Sequence, residues 1–234
     1  MSWLALLLIG VGTVDLVRPT RGSALLPGGA GALALVAFGL LAGLTSVADI
    51  AAMAAGVAAV LAWSLLSARR PRAAISVLAG AVVLAILFAA GASPAGGGIG
   101  HWLDSTRLPL LHGVDAERTL LVLGLLLIQL TTGNTIVRLV LTLTGSTPPT
   151  AGRALKGGRL LGPMERLVIL GLGLAGQTTA AGLVIAAKGL IRWPELQSFR
   201  GQQGPSIDEV TEYFLVGSFV SWLLALGSLA LLAR

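Results

Sequence analysis

The sequence predicts an all-α protein, a polytopic transmembrane helical bundle of about seven spans with the N-terminus outside and the C-terminus inside. Long stretches carry almost no charge: residues 22–68 contain only Asp49, and residues 167–187 and 213–233 contain no charged residue. A bilayer core of about 30 Å requires about 20 apolar residues in a helix. Soluble cores do not repeat such stretches several times, so the chain is predicted to be embedded in a membrane.

Composition narrows the class further. Of 234 residues, 55% are hydrophobic and 11% are charged, which excludes a disordered or fibrous class and a soluble enzyme of ordinary composition. No stretch between apolar runs is long enough for a soluble domain, so we predict one membrane-embedded domain over residues 1–234. The absence of cysteine excludes disulfides, thiolate nucleophiles and Cys-ligated metal centres.

The first predicted span is short and is interpreted as an uncleaved helix. It lacks a basic n-region and ends in Asp15 and Arg18 instead of a small-residue cleavage site, so it does not read as a signal peptide. The seven predicted spans are residues 3–17, 26–45, 49–68, 73–92, 118–143, 165–190 and 212–233.

Spans two and three contain residues that predict a helix contact and a helix N-terminus. Gly39-x-x-x-Gly43 in span two is a motif of low specificity that favours close helix packing. Asp49 stands at the start of span three, where we interpret it as the helix N-cap. Asp15 at the end of span one is expected to snorkel or cap.

The distribution of basic residues predicts the orientation, because cytoplasmic loops are enriched in Lys and Arg. With the N-terminus outside, nine basic residues fall in inside loops and four in outside loops. The inside set is Arg18, Arg21, Arg69, Arg70, Arg72, Arg153, Lys156, Arg159 and Arg234, and the outside set is Arg107, Arg118, Arg192 and Arg200. The same loop positions account for the net charge of +6, so the charge does not indicate nucleic acid binding.

Span five carries a polar stretch that includes Gln129, Asn134 and Arg138. Asn134 and Arg138 are four residues apart and share a helix face. Two interpretations stay open at this point. The stretch lines a polar path through the membrane, or it supplies interhelical hydrogen bonds worth about 1 kcal/mol each.

Spans six and seven place ionisable residues at their ends. Gln177 and Lys188 are eleven residues apart and lie on nearly the same face of a continuous helix. We predict an ion pair or a water-bridged contact between Arg138 and Glu165 at the inner ends of spans five and six, and another between Lys188 and Glu212 at the outer ends of spans six and seven. Intramembrane charges usually pair with one another, so these contacts clip hairpins together or form a gated charge path.

The chain contains no established catalytic or metal motif. It has no His-Glu-x-x-His, no Gly-x-Ser-x-Gly and no P-loop. The group His101, Asp104 and His112 fits no zinc template. We therefore expect no cofactor and no catalytic residue, while a membrane enzyme using Glu165 or Asp15 stays an open alternative without support from a motif.

The C-terminal half resembles a bacterial family of integral membrane proteins defined by a domain of unknown function. The resemblance covers about residues 130–225. It consists of Gly158-Arg159 followed by Glu165-Arg166, then Gly176-Gln177, Ala186-Ala187-Lys188 and Glu212-Tyr213. The polar stretch from Asn134 to Arg138 is similar to that family's preceding helix. The first half departs from the family, whose first helix carries a His, Asp and Gln cluster. The resemblance implies a membrane protein and leaves its function open, because the family supplies no biochemical activity to carry over.

These observations favour a small transport-like or lipid-handling protein of the bacterial cytoplasmic membrane. Its polar site would lie between spans five, six and seven. The residues assigned to that substrate site or pathway are Gln129, Asn134, Arg138, Glu165, Gln177, Lys188 and Glu212. The alternative is a non-catalytic membrane subunit or scaffold of a larger complex. The expected partners are membrane lipids and either a second membrane protein or further copies of the chain.

Overall fold

The computed structural model describes residues 1–18, 25–106, 113–146, 158–198 and 207–233. Throughout these ranges the chain forms helices joined by turns and contains no strand, which confirms the predicted all-α class. The chain divides into two compact units, unit 1 over Met1–Thr132 and unit 2 over Gly133–Arg234.

The helices are named in chain order. Unit 1 contains α1 Ser2–Val17, α2 Leu25–Leu41, α3 Val47–Leu66, α4 Pro71–Leu87, α5 Gly97–Ser105, α6 Ala116–Leu127, a 3₁₀ turn at Ala89–Gly91 and a π-helical segment at Ile128–Thr132. Unit 2 contains α7 Gly133–Thr144, α8 Gly158–Leu174, α9 Thr178–Ser198 and α10 Ile207–Leu232. The helix α5 lies in what the sequence predicted to be an outside loop.

Three helices in the described ranges are long and apolar enough to cross a membrane, namely Val47–Leu66, Ala116–Thr144 and Thr211–Leu232. They correspond to the predicted spans three, five and seven. The second of them contains α6, the π segment and α7 as one helix. Shorter apolar helices are Ser2–Val17, Leu25–Leu41, Pro71–Leu87 and Thr178–Leu190. These lengths and compositions indicate membrane association.

α1 is the central helix of unit 1, although it was the shortest predicted span. Nearly all its side chains from Ser2 to Val14 are buried, and it packs against α2, α3, α4 and α6. A helix that is apolar on every side is expected to be enclosed by its neighbours. Glycine permits the closest contact: a Cβ at Gly10 would lie 3.2 Å from the carbonyl oxygen of Gly31 in α2.

Two Trp–Asp hydrogen bonds join α1 to α3. Trp3 Nε1 donates to Asp49 Oδ1 over 2.7 Å, and Trp63 Nε1 donates to Asp15 Oδ2 over 3.1 Å. The two helices therefore run parallel. The predicted snorkelling of Asp15 is wrong, because its side chain is only 2% exposed and is held by Trp63 and by Arg18, 3.4 Å away.

The N-cap of α3 is Ser46 and not Asp49. Ser46 Oγ accepts a hydrogen bond from the Asp49 backbone N–H, and Asp49 Oδ2 accepts from the Ser46 backbone N–H, each over 3.2 Å. This reciprocal arrangement is a capping box, in which the acidic residue stands at the third helical position. Asp49 Oδ1 also accepts from the Ser93 backbone N–H over 3.3 Å, so several donors satisfy this fully buried carboxylate.

The two glycines of the predicted packing motif have different roles. Gly39 is buried against Met53 of α3, where a Cβ would also lie 3.2 Å from Leu6. Gly43 adopts φ +75° just after α2 ends, and the Leu44 backbone N–H donates to the Gly39 carbonyl over 3.0 Å. That bond and the left-handed residue define a Schellman cap, which favours glycine because it has no Cβ.

The prediction that residues 165–190 form one span is wrong. α8 ends at Leu174, and Gly176 adopts φ +75°. The Gln177 backbone N–H donates to the Leu172 carbonyl over 2.8 Å and closes α8, while the Gln177 carbonyl accepts the first bond of α9, from Ala181. A Schellman cap therefore reverses the chain, and α9 returns antiparallel along α8.

Candidate functional site: a buried charge cluster in unit 2

Arg166 of α8 is the most enclosed charged side chain of the described part of unit 2. It is 1% exposed. Its Nη2 donates to Asn134 Oδ1 of α7 over 2.9 Å, and its Nη1 donates to Ser221 Oγ of α10 over 3.1 Å. The planar guanidinium has several donors in a fixed fork, which allows one side chain to bond two helices at once. Arg166 thereby ties α8 to both α7 and α10.

Glycine provides the space for this guanidinium. A Cβ at Gly133, the first residue of α7, would lie 2.7 Å from Arg166 Cζ. A Cβ at Gly162, one turn before Arg166 on α8, would lie 3.2 Å from Asn134 Oδ1. The two glycines allow the α7 and α8 backbones to approach closely around the guanidinium.

Glu165, the neighbour of Arg166, makes a second set of contacts, which we call the Glu165 cluster (Glu165, Lys188 and Trp222). Lys188 Nζ of α9 forms an ion pair with Glu165 Oε2. Trp222 Nε1 of α10 donates to Glu165 Oε1 over 2.9 Å. The Lys188 ammonium lies 6.0 Å from the Trp222 ring centroid, which is at the outer limit for a cation–π contact. One carboxylate therefore receives donors from two helices.

The turn at Gly176 is what makes the Glu165 cluster possible. Glu165 and Lys188 are 23 residues apart, and in a continuous helix rising 1.5 Å per residue they would lie about 35 Å apart. The reversal between α8 and α9 returns Lys188 to the level of Glu165. The cluster thus depends on a chain reversal that the uncharged sequence of residues 167–187 did not reveal.

Small residues on α10 allow α8 to pack closely. The buried face of α10 repeats at intervals of three and four residues: Ser218, Ser221, Ala225 and Ser228. Ile169 of α8 and Ala181 of α9 form a buried apolar core with Ala225. The contacts of Glu165 with Trp222 and of Arg166 with Ser221 lie on one side of this core, so the charges are held within the interhelical space.

In the described part of unit 2, large hydrophobic side chains are exposed on the surface, whereas some charged side chains are enclosed between the helices. Arg166 is buried and Glu165 is mostly enclosed, whereas many large hydrophobic side chains are exposed. The exposed set is Leu160, Leu161, Met164, Val168, Leu174, Leu183, Leu190, Leu215, Phe219, Leu223 and Leu226. This distribution is the reverse of that expected in water and suits a lipid environment, where polar groups must find partners inside the protein.

The structure brings together only part of the predicted pathway. Asn134, Glu165 and Lys188 take part in the contacts described above. Gln129 is fully buried in the π segment of unit 1. Gln177 lies exposed at the turn, and Arg138 and Glu212 are exposed as well.

Both predicted ion pairs are wrong in their partners. Lys188 pairs with Glu165 instead of Glu212, because α9 reverses direction. Arg138 lies 3.5 Å from Thr135 Oγ1 one turn away on its own helix, and Glu165, its predicted partner, is occupied by Lys188 and Trp222.

Sequence analysis missed three residues of the site: Arg166, Ser221 and Trp222. Arg166 stands at the beginning of predicted span six, and the sequence does not assign it to the polar site. The signal that could have identified the site is the Glu165-Arg166 dipeptide together with the small polar face of α10, whose period of three and four residues marks a helix contact.

Unit 1 contains a separate cavity of about 500 Å³ where α5 ends and α6 begins. Its lining includes the carboxylates of Asp104, Asp115 and Glu117. Within the described ranges, no three His, Asp or Glu side chains are grouped as metal ligands. His101 and Asp104 are exposed, and His112, the third residue of the group considered from the sequence, lies outside the described residues.

No family model matches the chain, and neither does any curated protein or solved structure. The resemblance of residues 130–225 to a bacterial membrane family therefore stays a prediction.

Proposed function

We propose that this chain is a multi-pass protein of the bacterial cytoplasmic membrane that acts as a non-catalytic subunit or scaffold. One observation carries the proposal: the buried charges of unit 2 bond to its own helices. Arg166 is engaged by Asn134 and Ser221, and Glu165 by Lys188 and Trp222. A transport pathway requires polar groups that face a water-accessible cavity, whereas these contacts engage the charges with neighbouring helices in the described part of unit 2.

The outward face of α9 supports an assembly role. Thr179, Gly182, Ala186 and Gly189 are exposed along one side of this helix, and a Cβ at either glycine would meet no atom within 4 Å. Membrane helices associate through small residues of this kind, because they allow backbones to come close. A neighbouring transmembrane helix is therefore the partner that we propose for this face.

The transport-like or lipid-handling alternative rests on a different observation. The Lys188 side chain is 25% exposed and that of Glu165 is 11% exposed, so this ion pair is reachable from the surface of unit 2. A lipid head group or a small charged solute that exchanged with one member of the pair would fit this role.

The charge distribution supports an orientation for unit 2. Arg166 joins Asn134 at the start of α7 to Ser221 of α10, while Gly217, one turn earlier on α10, lies near Val137 and Leu141 further along α7. The two helices are therefore antiparallel, and α7 ends at the same side at which α8 and α10 begin. The connections at that side carry Arg153, Lys156 and Arg200 in the sequence. We propose that this side faces the cytoplasm, because cytoplasmic loops are enriched in Lys and Arg. The end of α10 then lies outside. This orientation replaces the predicted C-in orientation, which assumed that residues 165–190 cross the membrane once. The N-out orientation stays a prediction. Together with the end of α10 outside, it requires an even number of spans and replaces the predicted total of seven.

Native mass spectrometry after gentle extraction into lipid nanodiscs tests the assignment. A second protein bound in stoichiometric amount supports the subunit role, and Gly182→Leu should then release it while the control Leu183→Ala, an exposed neighbour, should not. The opposite outcome is a chain that is alone or self-associated, retains a lipid or small molecule, and loses that molecule in Lys188→Met. This result overturns the subunit role in favour of the transport-like alternative.

A further inference from the structure

Within the described part of unit 2, the segment Thr178–Leu190 of α9 is the least enclosed stretch of helix. α9 packs mainly on α8 and less on α10. Between Thr178 and Leu190, only Ala181 is fully buried, and most other side chains are exposed. Val184 and Ile185 contribute partly buried contacts to the core around Ile169. Few apolar contacts therefore hold this part of α9 in place, and segments with few buried contacts open at low free-energy cost.

α8 is held more firmly than α9. Its Arg166 is fully buried and bonds to both α7 and α10. The polar tie that the described part of α9 makes to another helix is the ion pair from Lys188 to Glu165. The two helices of the hairpin thus differ in how they are anchored, so movement is expected in α9 while α8 stays in place.

We propose that α9 is a hinged latch, which swings away from α8 about the Gly176–Gln177 turn and is held closed by the Glu165–Lys188 ion pair. Gly176 already has φ +75°, and its lack of a Cβ gives the turn more conformational freedom than any other residue would. Lys188 lies twelve residues beyond Gly176, about 18 Å along the helix. The ion pair therefore acts far from the hinge, where a single contact restrains rotation most effectively.

Opening would leave Glu165 with a remaining partner. Trp222 Nε1 of α10 donates to the other carboxylate oxygen, so the carboxylate would not lose all its donors when Lys188 leaves. The uncovered surface would present Glu165 and the Trp222 ring, two groups that attract an ammonium or guanidinium. In the closed state, the Lys188 ammonium occupies this site, which in the open state could bind another cationic group. This inference does not depend on the function proposed above.

Distance measurements between spin labels test the latch. The chain has no cysteine, so pairs of introduced cysteines report without background. The first pair, Leu190→Cys in α9 with Leu215→Cys in α10, follows the latch. The second pair, Val168→Cys in α8 with Leu223→Cys in α10, is the control. All four native side chains are exposed, so the labels do not disturb the core.

In nanodiscs, we expect Lys188→Met to raise the population of a longer α9–α10 distance about tenfold, as expected for the loss of one tie of about 1.4 kcal/mol. The α8–α10 distance should not change, and Lys188→Arg should match the parent. If Lys188→Met does not fold, Glu165→Gln serves, because its amide oxygen still accepts from Trp222 while the charge is lost. An unchanged α9–α10 distance, or equal broadening of both pairs, overturns the latch.

Discussion

Lys188 and Glu165 form an ion pair although they stand at opposite ends of a stretch, residues 167–187, that contains no charged residue. The contact requires the chain to reverse at Gly176, and it places a positive and a negative charge on neighbouring antiparallel helices. Breaking a buried ion pair costs about 3–5 kcal/mol when the remaining charge has no partner. Here Trp222 continues to bond Glu165, so the cost of losing Lys188 should be smaller.

The hairpin predicts where Gln177 lies relative to the membrane. If α8 and α9 both extend through the bilayer, Gln177 is at a membrane surface, whereas in one continuous span it would be near the middle. In whole cells we expect Gln177→Cys to react with a membrane-impermeant maleimide from outside. Ser146→Cys, just after α7 on the opposite side, should react only after permeabilisation. Failure of Gln177→Cys to react in either condition would contradict the hairpin topology.

Removal of the Arg166 guanidinium should strongly destabilise unit 2. Arg166→Met deletes two hydrogen bonds from a charged donor, each worth about 1.5–3 kcal/mol, and leaves Asn134 and Ser221 without that partner. We expect a loss of about 3 kcal/mol, measured by thermal unfolding in nanodiscs. Arg138→Met provides the matched control, because Arg138 is exposed and surface substitutions change stability by about 0.5 kcal/mol or less.

Gly133 should tolerate no larger side chain. In Gly133→Ala the new Cβ would lie 2.7 Å from Arg166 Cζ, so the guanidinium would have to move away from Asn134. Overpacking of this kind costs about 1–3 kcal/mol. Gly182→Ala, where the Cβ meets nothing within 4 Å, should be neutral or slightly stabilising, because alanine favours helix. Equal effects at the two positions would show that helix propensity and not contact with Arg166 decides the result.

In unit 1, Asp49 should contribute more to stability than Trp3. Trp3→Phe removes one hydrogen bond to a carboxylate and keeps most of the ring. Asp49→Ala deprives Trp3, Ser46 and Ser93 of their common acceptor at once. We expect losses of about 1.5–3 kcal/mol for Trp3→Phe and a clearly larger loss for Asp49→Ala in chemical denaturation. Similar losses for the two variants would mean that the capping box and the Ser93 contact add little.

The Glu165–Trp222 hydrogen bond should couple α8 to α10 independently of Lys188. Trp222→Phe removes the indole N–H but retains an aromatic ring in the core beside Ile169 and Leu229. We expect a double-mutant cycle between Trp222→Phe and Glu165→Leu, which removes the acceptor, to give a coupling energy of about 0.6–2 kcal/mol, the range for hydrogen bonds between membrane helices. Strict additivity of the two substitutions would indicate that the bond does not contribute.

The sequence by itself determined the helical class, the apolar character of the chain and the position of the three described helices that are long and apolar enough to cross a membrane. These properties follow from local composition: a run of uncharged residues long enough to cross a bilayer has few alternatives to a helix, because every backbone group must bond within its own segment. The polar stretch around Asn134 and the ionisable residues Glu165 and Lys188 could also be identified from the sequence, because they too are features of local composition.

Tertiary structure alone decided which of these residues meet. Hydropathy does not encode chain direction, so it could not distinguish one crossing by residues 165–190 from two helices joined at Gly176. It is the left-handed conformation of a single glycine that reverses the chain, and this reversal replaced both predicted ion pairs. The contact of Arg166 with Asn134 and Ser221 depends on three helices meeting at a point where Gly133 leaves room, because a contact between distant segments is set by how the helices pack and not by the composition of any one of them.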